Sequence, residues 1–158
     1  MDTPKADIRH ILIDYLARQE PGTSLSEWIT GMGIEIRELE KSPRRGTLLL
    51  RSEYQPNPPT ILIYQDVIEM WHTKLVEEMG LTGIEESLLK ELCLVHELLH
   101  DLFVRAKTHF PRQEARLIRK ISLRQEEFLV REIVRDWMKS RYPQYNDPLN
   151  QILDIHEC

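Results

Sequence analysis

Residues 87–105 read SLLKELCLVHELLHDLFVR, and this stretch decides the fold. Its apolar residues recur at intervals of three and four, the period of a helix. Within it, His96-Glu97-Leu98-Leu99-His100 makes the pattern H-E-x-x-H. Residues four apart on a helix stand one above the other, so two imidazoles at this spacing reach one point and can share a tetrahedral metal ion. Glu97 projects about 100° around the axis from His96, which lets it meet a water at that metal without being a ligand. Histidine ligands with an intervening glutamate as general base are the zinc-hydrolase arrangement. On a helical wheel His96 and His100 fall among Leu89, Leu92, Cys93 and Phe103, the buried side, while Lys90, Glu97 and Asp101 mark a polar strip. Two histidines on an apolar face each need a polar partner. A shared metal supplies both; the competing reading is two core histidines bonded to backbone or carboxylates.

A zinc site needs a third protein ligand and an open fourth position. Downstream candidates are His109, Glu126, Glu127, Asp154 and His156. A helix antiparallel to the first would bring Glu126 or Glu127 to the depth of His100. Both flank an apolar stripe of Leu123, Val130, Val134 and Trp137, and the wheel leaves the two open.

The neighbouring segments supply the rest of the architecture. Thr3 to Gln19 is expected to be a helix, capped by Thr3 with Pro4 in its first turn and stopped by Pro21-Gly22. A short helix over Leu25 to Thr30 follows. Gly33 to Leu39, Thr47 to Ser52 and Thr60 to Tyr64 carry strand signals and predict a small sheet of about three strands. The intervening EYQPNPP reads as a loop, because its prolines lack ladder donors. Asp66 to Met79 is expected to be helical and to end at Gly80. Thr82 and Glu85 offer a capping box for the motif helix, which should run to about Lys107. After a break at THFP the chain is helical in part from Pro111 to Ser140, with a second capping box at Ser122 and Gln125. One more short helix is expected from Pro148. The fold class is therefore α+β: a small sheet packed on the motif helix, with a helical C-terminal half, in a single domain spanning residues 1–158.

Composition bounds the function. The chain has 158 residues, 41% of them hydrophobic and 30% charged, which is a globular rather than a disordered balance. A net charge of −5 argues against nucleic acid as a partner. Two cysteines, Cys93 and Cys158, cannot build a disulfide framework, so a reducing, cytoplasmic setting is expected. No apolar run approaches the roughly 20 residues of a membrane span, and the first ten residues lack a secretory pattern.

Three runs together, PPTILIYQDVIEMW, LCLVHELLHDLF and ISLRQEEFLVREIV, resemble the ImmA/IrrE-type zinc metallopeptidases over roughly Thr47 to Met138. The H-E-x-x-H is the specific part of that likeness. The resemblance implies a zincin-like domain that hydrolyses a peptide bond, with His96 and His100 as zinc ligands and Glu97 as catalytic base. It further implies a glutamate ligand on a later helix, followed six residues on by a large apolar residue. Glu127, with Ile133 and Val134 beyond it, fits that register better than Glu126. A peptide or protein substrate follows, and some family members cleave regulatory proteins. The alternative is a non-catalytic partner-binding domain with a structural or vestigial zinc.

Other signals are weaker. Glu69 and His72, with Glu97 and His100, repeat the E-x-x-H spacing of di-iron bundles, although His72 reads as a surface residue. Cys93 reads as a small buried thiol. Arg112, Arg116, Arg119, Lys120 and Arg124 form a basic run that is either a solvated face or a seat for an acidic partner or carboxylate. Tyr64, His109, Tyr142 and His156 are candidate donors to an oxyanion.

Overall fold

The computed structural model describes residues 4–45 and 48–145. The expected helix from Pro148, the cap at Thr3, and Asp154, His156 and Cys158 lie outside them. Helices α1 (Pro4–Leu16) and α2 (Leu25–Gly31) come first, followed by strand β1 (Glu35–Leu39). A minimal antiparallel pair, β2 (Arg44–Arg45) and β3 (Leu48–Leu49), precedes the hairpin β4 (Ser52–Pro56) and β5 (Pro59–Tyr64). The remainder is helical: α3 (Gln65–Thr73) with a π turn over Lys74–Glu78, α4 (Glu86–Val104), α5 (Ala106–His109), α6 (Arg112–Arg119), α7 (Leu123–Arg141) and a 3₁₀ turn at Pro143–Tyr145. The chain is thus α+β with a helical C-terminal half.

The main sheet has the order β1-β5-β4, with β1 parallel and β4 antiparallel to β5. The central strand is the continuous apolar run, as expected of a strand flanked on both edges. Ile61 and Ile63 face the main core, whereas Leu62 and Tyr64 join Val67 in a smaller cluster on the other face. The strand reading needs one correction. The segment read as a loop is largely β4, and the expected Thr47–Ser52 strand is split: Leu48–Leu49 pairs in the separate β2–β3 ladder, and Ser52 opens β4 opposite Ile63. Pro56 and Pro59 face each other across the hairpin end, and β4 is an edge strand, so neither missing N–H interrupts an interior ladder.

Helix α4 runs through the middle of the core and is buried on almost every side. α7 covers it with Leu129, Val130, Ile133, Val134 and Met138, and α1 packs on α6 and α7, adding Ile8, Leu12, Tyr15 and Leu16 to the same core. Leu123 was expected in that α7 stripe but is 81% exposed, because it occupies the first helical position, ahead of the packed turns. The capping box at Ser122 and Gln125 is present. The one expected at Thr82 and Glu85 is not: α4 starts at Glu86 without a side-chain cap. Its approach is held by packing instead. Ile84 is buried, its carbonyl bonds His72 Nε2 at 2.6 Å, and Gly83 turns the chain at φ +91°. No helix of the described residues is long and apolar enough to cross a membrane.

Candidate metal centre

Three elements meet at the site. α4 supplies His96, Glu97 and His100; β4 supplies Ser52 and Tyr54; the first turns of α7 supply Glu126 and Glu127. They enclose an open cleft of about 300 Å³, walled also by Leu50, Glu53 and Val104.

The imidazoles of His96 and His100 approach Nε2 to Nε2 at 3.2 Å. Glu127 Oε1 stands 3.5 Å from His100 Nε2. One ligand atom from each of His96, His100 and Glu127 lies within 4.8 Å of the others. Tetrahedral zinc at its usual ligand distances sets neighbouring donors roughly 3.3 Å apart. The two shorter separations are close to that edge length, so the donor set fits one zinc ion. Helix geometry stacks the histidines, and α7 packing against α4 brings the carboxylate across.

Glu126 does something different from its neighbour. Its Oε2 sits 2.7 Å from His100 Nδ1 and accepts that nitrogen's proton in a hydrogen bond. A carboxylate on Nδ1 fixes the tautomer that leaves Nε2 with its lone pair, the usual device for orienting a metal-binding imidazole. Consecutive glutamates thus hold opposite nitrogens of one ring.

The charges are set by burial first. His96 is 7% exposed, and desolvation, with the positive charges of His100, Arg51 and Arg131, holds its pKa down to about 3. It is therefore neutral, as a ligand must be. For His100, burial pulls the same way, but the Glu126 hydrogen bond and the charges of Glu97, Glu127 and Glu126 outweigh it and raise the pKa. Glu97 is 5% exposed rather than on a polar strip. Burial lifts its carboxyl to about 7, against the pull of Ser52, whose hydroxyl donates to Glu97 Oε2 at 2.6 Å. A carboxylate tuned to neutrality suits proton transfer near physiological pH.

Asp101 overturns the polar strip more completely. It is fully buried and accepts from four groups: Tyr54 Oη, Arg105 Nε at 2.7 Å, Arg105 Nη2 at 2.9 Å and His109 Nε2 at 2.7 Å. Burial would raise its pKa; the bonds from His109, Arg105 and Tyr54 win and lower it to about 2. His109 spends its other nitrogen on Tyr15 Oη, at 2.8 Å. With both ring nitrogens engaged it is neither a ligand nor an oxyanion donor. Tyr64 and Tyr142 are likewise committed, to Glu53 and Glu91. Glu69 accepts from Gln65, and half-buried His72 is held by Ile84, so no second E-x-x-H pair joins the first. Cys93 is in the core.

Against protein-family models, curated proteins and solved structures, the chain matches none.

Sequence reading missed Ser52, Tyr54 and Asp101. The signal for the first two was present: as alternate residues of a strand they share a face. Ending the strand at Ser52 and reading a loop from Glu53 separated the two. For Asp101 the signal was Arg105 four residues on, an ion-pair spacing.

Proposed function

We propose that this protein is a zinc-dependent metallopeptidase of the ImmA/IrrE type, with a zincin-like active-site architecture. The observation that carries the reading is the convergence of His96 Nε2, His100 Nε2 and Glu127 Oε1 on one point beside the buried carboxylate of Glu97.

His96, His100 and Glu127 would hold the ion, and Glu126 would keep the His100 ring in its binding tautomer. Zinc, when bound, supplies Lewis acidity toward a carbonyl oxygen and lowers the pKa of water. Glu97 accepts a proton from the attacking water at its carboxylate and delivers it to the leaving amine. Ser52 restrains that carboxylate in the cleft. A peptide suits the cleft because Ser52 and Tyr54 belong to an edge strand, whose outward backbone groups can pair with an extended chain. A peptide or protein substrate in the cytoplasm accords with the two cysteines of the sequence.

The test is Glu97→Gln. Zinc content of the purified variant should equal that of the parent, while hydrolysis of a peptide library falls by at least about 100-fold. Loss of zinc from the variant makes Glu97 a ligand and defeats the scheme. A parent that holds zinc and cleaves nothing establishes the non-catalytic alternative.

A further inference from the structure

We propose that the groove between α5 and α6 is a docking site for a short acidic peptide segment. The groove is separate from the metal centre and about 670 Å³ in volume, within the roughly 300–1,000 Å³ of ligand-binding clefts. Its rim carries Lys107, Arg112, Arg116, Arg119 and Lys120. The spacing explains the convergence. Positions 112, 116, 119 and 120 share one 100° face of a helix, and Ala115 and Ile118 are buried on the adjoining side. α5 contributes Lys107 from across the gap, and Phe110 and Ala115 form an apolar floor.

All five cations are solvent-exposed. None of their side chains makes an ion pair or hydrogen bond among the described residues. Several other guanidiniums are paired, although Arg18, Arg51 and Arg124 also make no ion pair or side-chain hydrogen bond among the described residues. Arg9 bridges Glu132 and Asp136, Arg105 grips Asp101, and Arg141 bonds Gln19. Acidic residues outnumber basic ones in the sequence, 26 to 21, yet among the described residues no carboxylate pairs with these five. Like charges at three- and four-residue spacing also weaken the helix that carries them. A row of repelling cations around a concave apolar floor is relieved by an anion that neutralises it.

The size of the row selects the anion. Arg112 to Arg119 covers roughly 10 Å of helix axis at 1.5 Å per residue. An extended peptide crosses that distance in about three residues at ~3.3 Å each. Alternate side chains of such a peptide are ~6.6 Å apart, close to the ~6 Å rise between helix positions four apart. The apolar floor accepts one uncharged side chain between the acids. A nucleic acid is a poorer match. With the groove's five cations set aside, the formal charge of −5 becomes −10, so a long polyanion leaving the groove meets a surface of its own sign.

The experiment uses the full chain and a fluorescein-labelled hexapeptide of five acidic residues around one phenylalanine, followed by anisotropy. The peptide should bind, and raising salt from about 50 to about 200 mM should weaken it several-fold. R116E/R119E should lower affinity at least about 10-fold, and R116Q/R119Q should show the same loss in smaller measure. R124E, on the neighbouring helix and outside the groove, should stay within about twofold of the parent. Circular dichroism reports whether each variant is folded; the glutamine pair, which adds no new charge, carries the test if the reversal does not fold. No binding by the parent, undiminished binding by the folded double variants, or tighter binding of a thymidine hexanucleotide than of the peptide overturns the proposal. Because zinc content and peptide hydrolysis are not read, the metal-site reading can fail without this one, and this one without it.

Discussion

Glu126 and His100 form a hydrogen-bonded pair across two helices: Oε2 of the glutamate rests 2.7 Å from Nδ1 of the imidazole. The bond spends one ring nitrogen and presents the other to Glu127 and His96. Removing it should loosen metal binding without removing a ligand. Glu126→Ala is expected to weaken zinc affinity roughly 10- to 100-fold, measured by competition with a chromophoric chelator. Glu127→Ala should cost more. If the order is reversed, the two glutamates have exchanged roles.

Ser52 provides a test of how Glu97 is tuned. Its hydroxyl opposes the burial that raises this carboxyl, and the two together leave it at about 7. In Ser52→Ala the opposing pull disappears, and the pKa moves further up. The base works only when ionised, so the acid limb of the pH profile for kcat/KM should shift to the alkaline side. An unchanged limb would disconnect Glu97 from the titration that limits rate.

Asp101 makes part of the stability acid-sensitive. Its folded pKa, about 2, lies below the ordinary aspartate value of 3.8. A depressed carboxylate contributes fully above the unfolded value and loses its contribution as pH falls toward the folded one. About 2 kcal/mol should therefore disappear between roughly pH 5 and pH 2. Urea melts across that range should show the fall in the parent. Asp101→Asn should be less stable by about 3–5 kcal/mol at neutral pH, because Arg105 is stripped of its buried partner, and its stability should fall less steeply in acid.

Leu98 and Leu99 are fully enclosed around the motif helix. Leu98→Ala should destabilise by about 2–5 kcal/mol, the sum of lost transfer energy and a residual cavity. Denaturant unfolding at constant slope would measure it.

Chelation should lower the melting temperature. Zinc at 100-fold over its dissociation constant adds about 2.7 kcal/mol to the folded state, roughly 5–10 °C for a chain of this size. Re-addition should restore it, and the His96→Ala variant should show no response.

What could be read from the chain depended on how local the signal was. His96, Glu97 and His100 were legible because one helix carries them at fixed offsets. The α7 pair was legible to within one residue, and only the packing of α7 on α4 shows that Glu126 and Glu127 serve opposite nitrogens. β4 was misread because Pro56 and Pro59 look like breakers until their place at a hairpin end on a sheet edge is seen. Asp101 looked like a solvent-facing acid because a wheel assigns one polar side, whereas α4 is enclosed by strand and helices alike. Besides Arg105, its partners lie 47 residues before it and 8 after it, and no periodicity within one helix records a bond of the first kind.

The hydrogen bonds from Tyr15 through His109 and Asp101 to Tyr54 join the first helix to the strand that edges the cleft. The amino-terminal segment is thus wired into the candidate metal centre it sits far from in sequence. Trimming α1 to obtain a smaller fragment would leave His109 half-satisfied, unsettle the Asp101 hub and let Tyr54 drift.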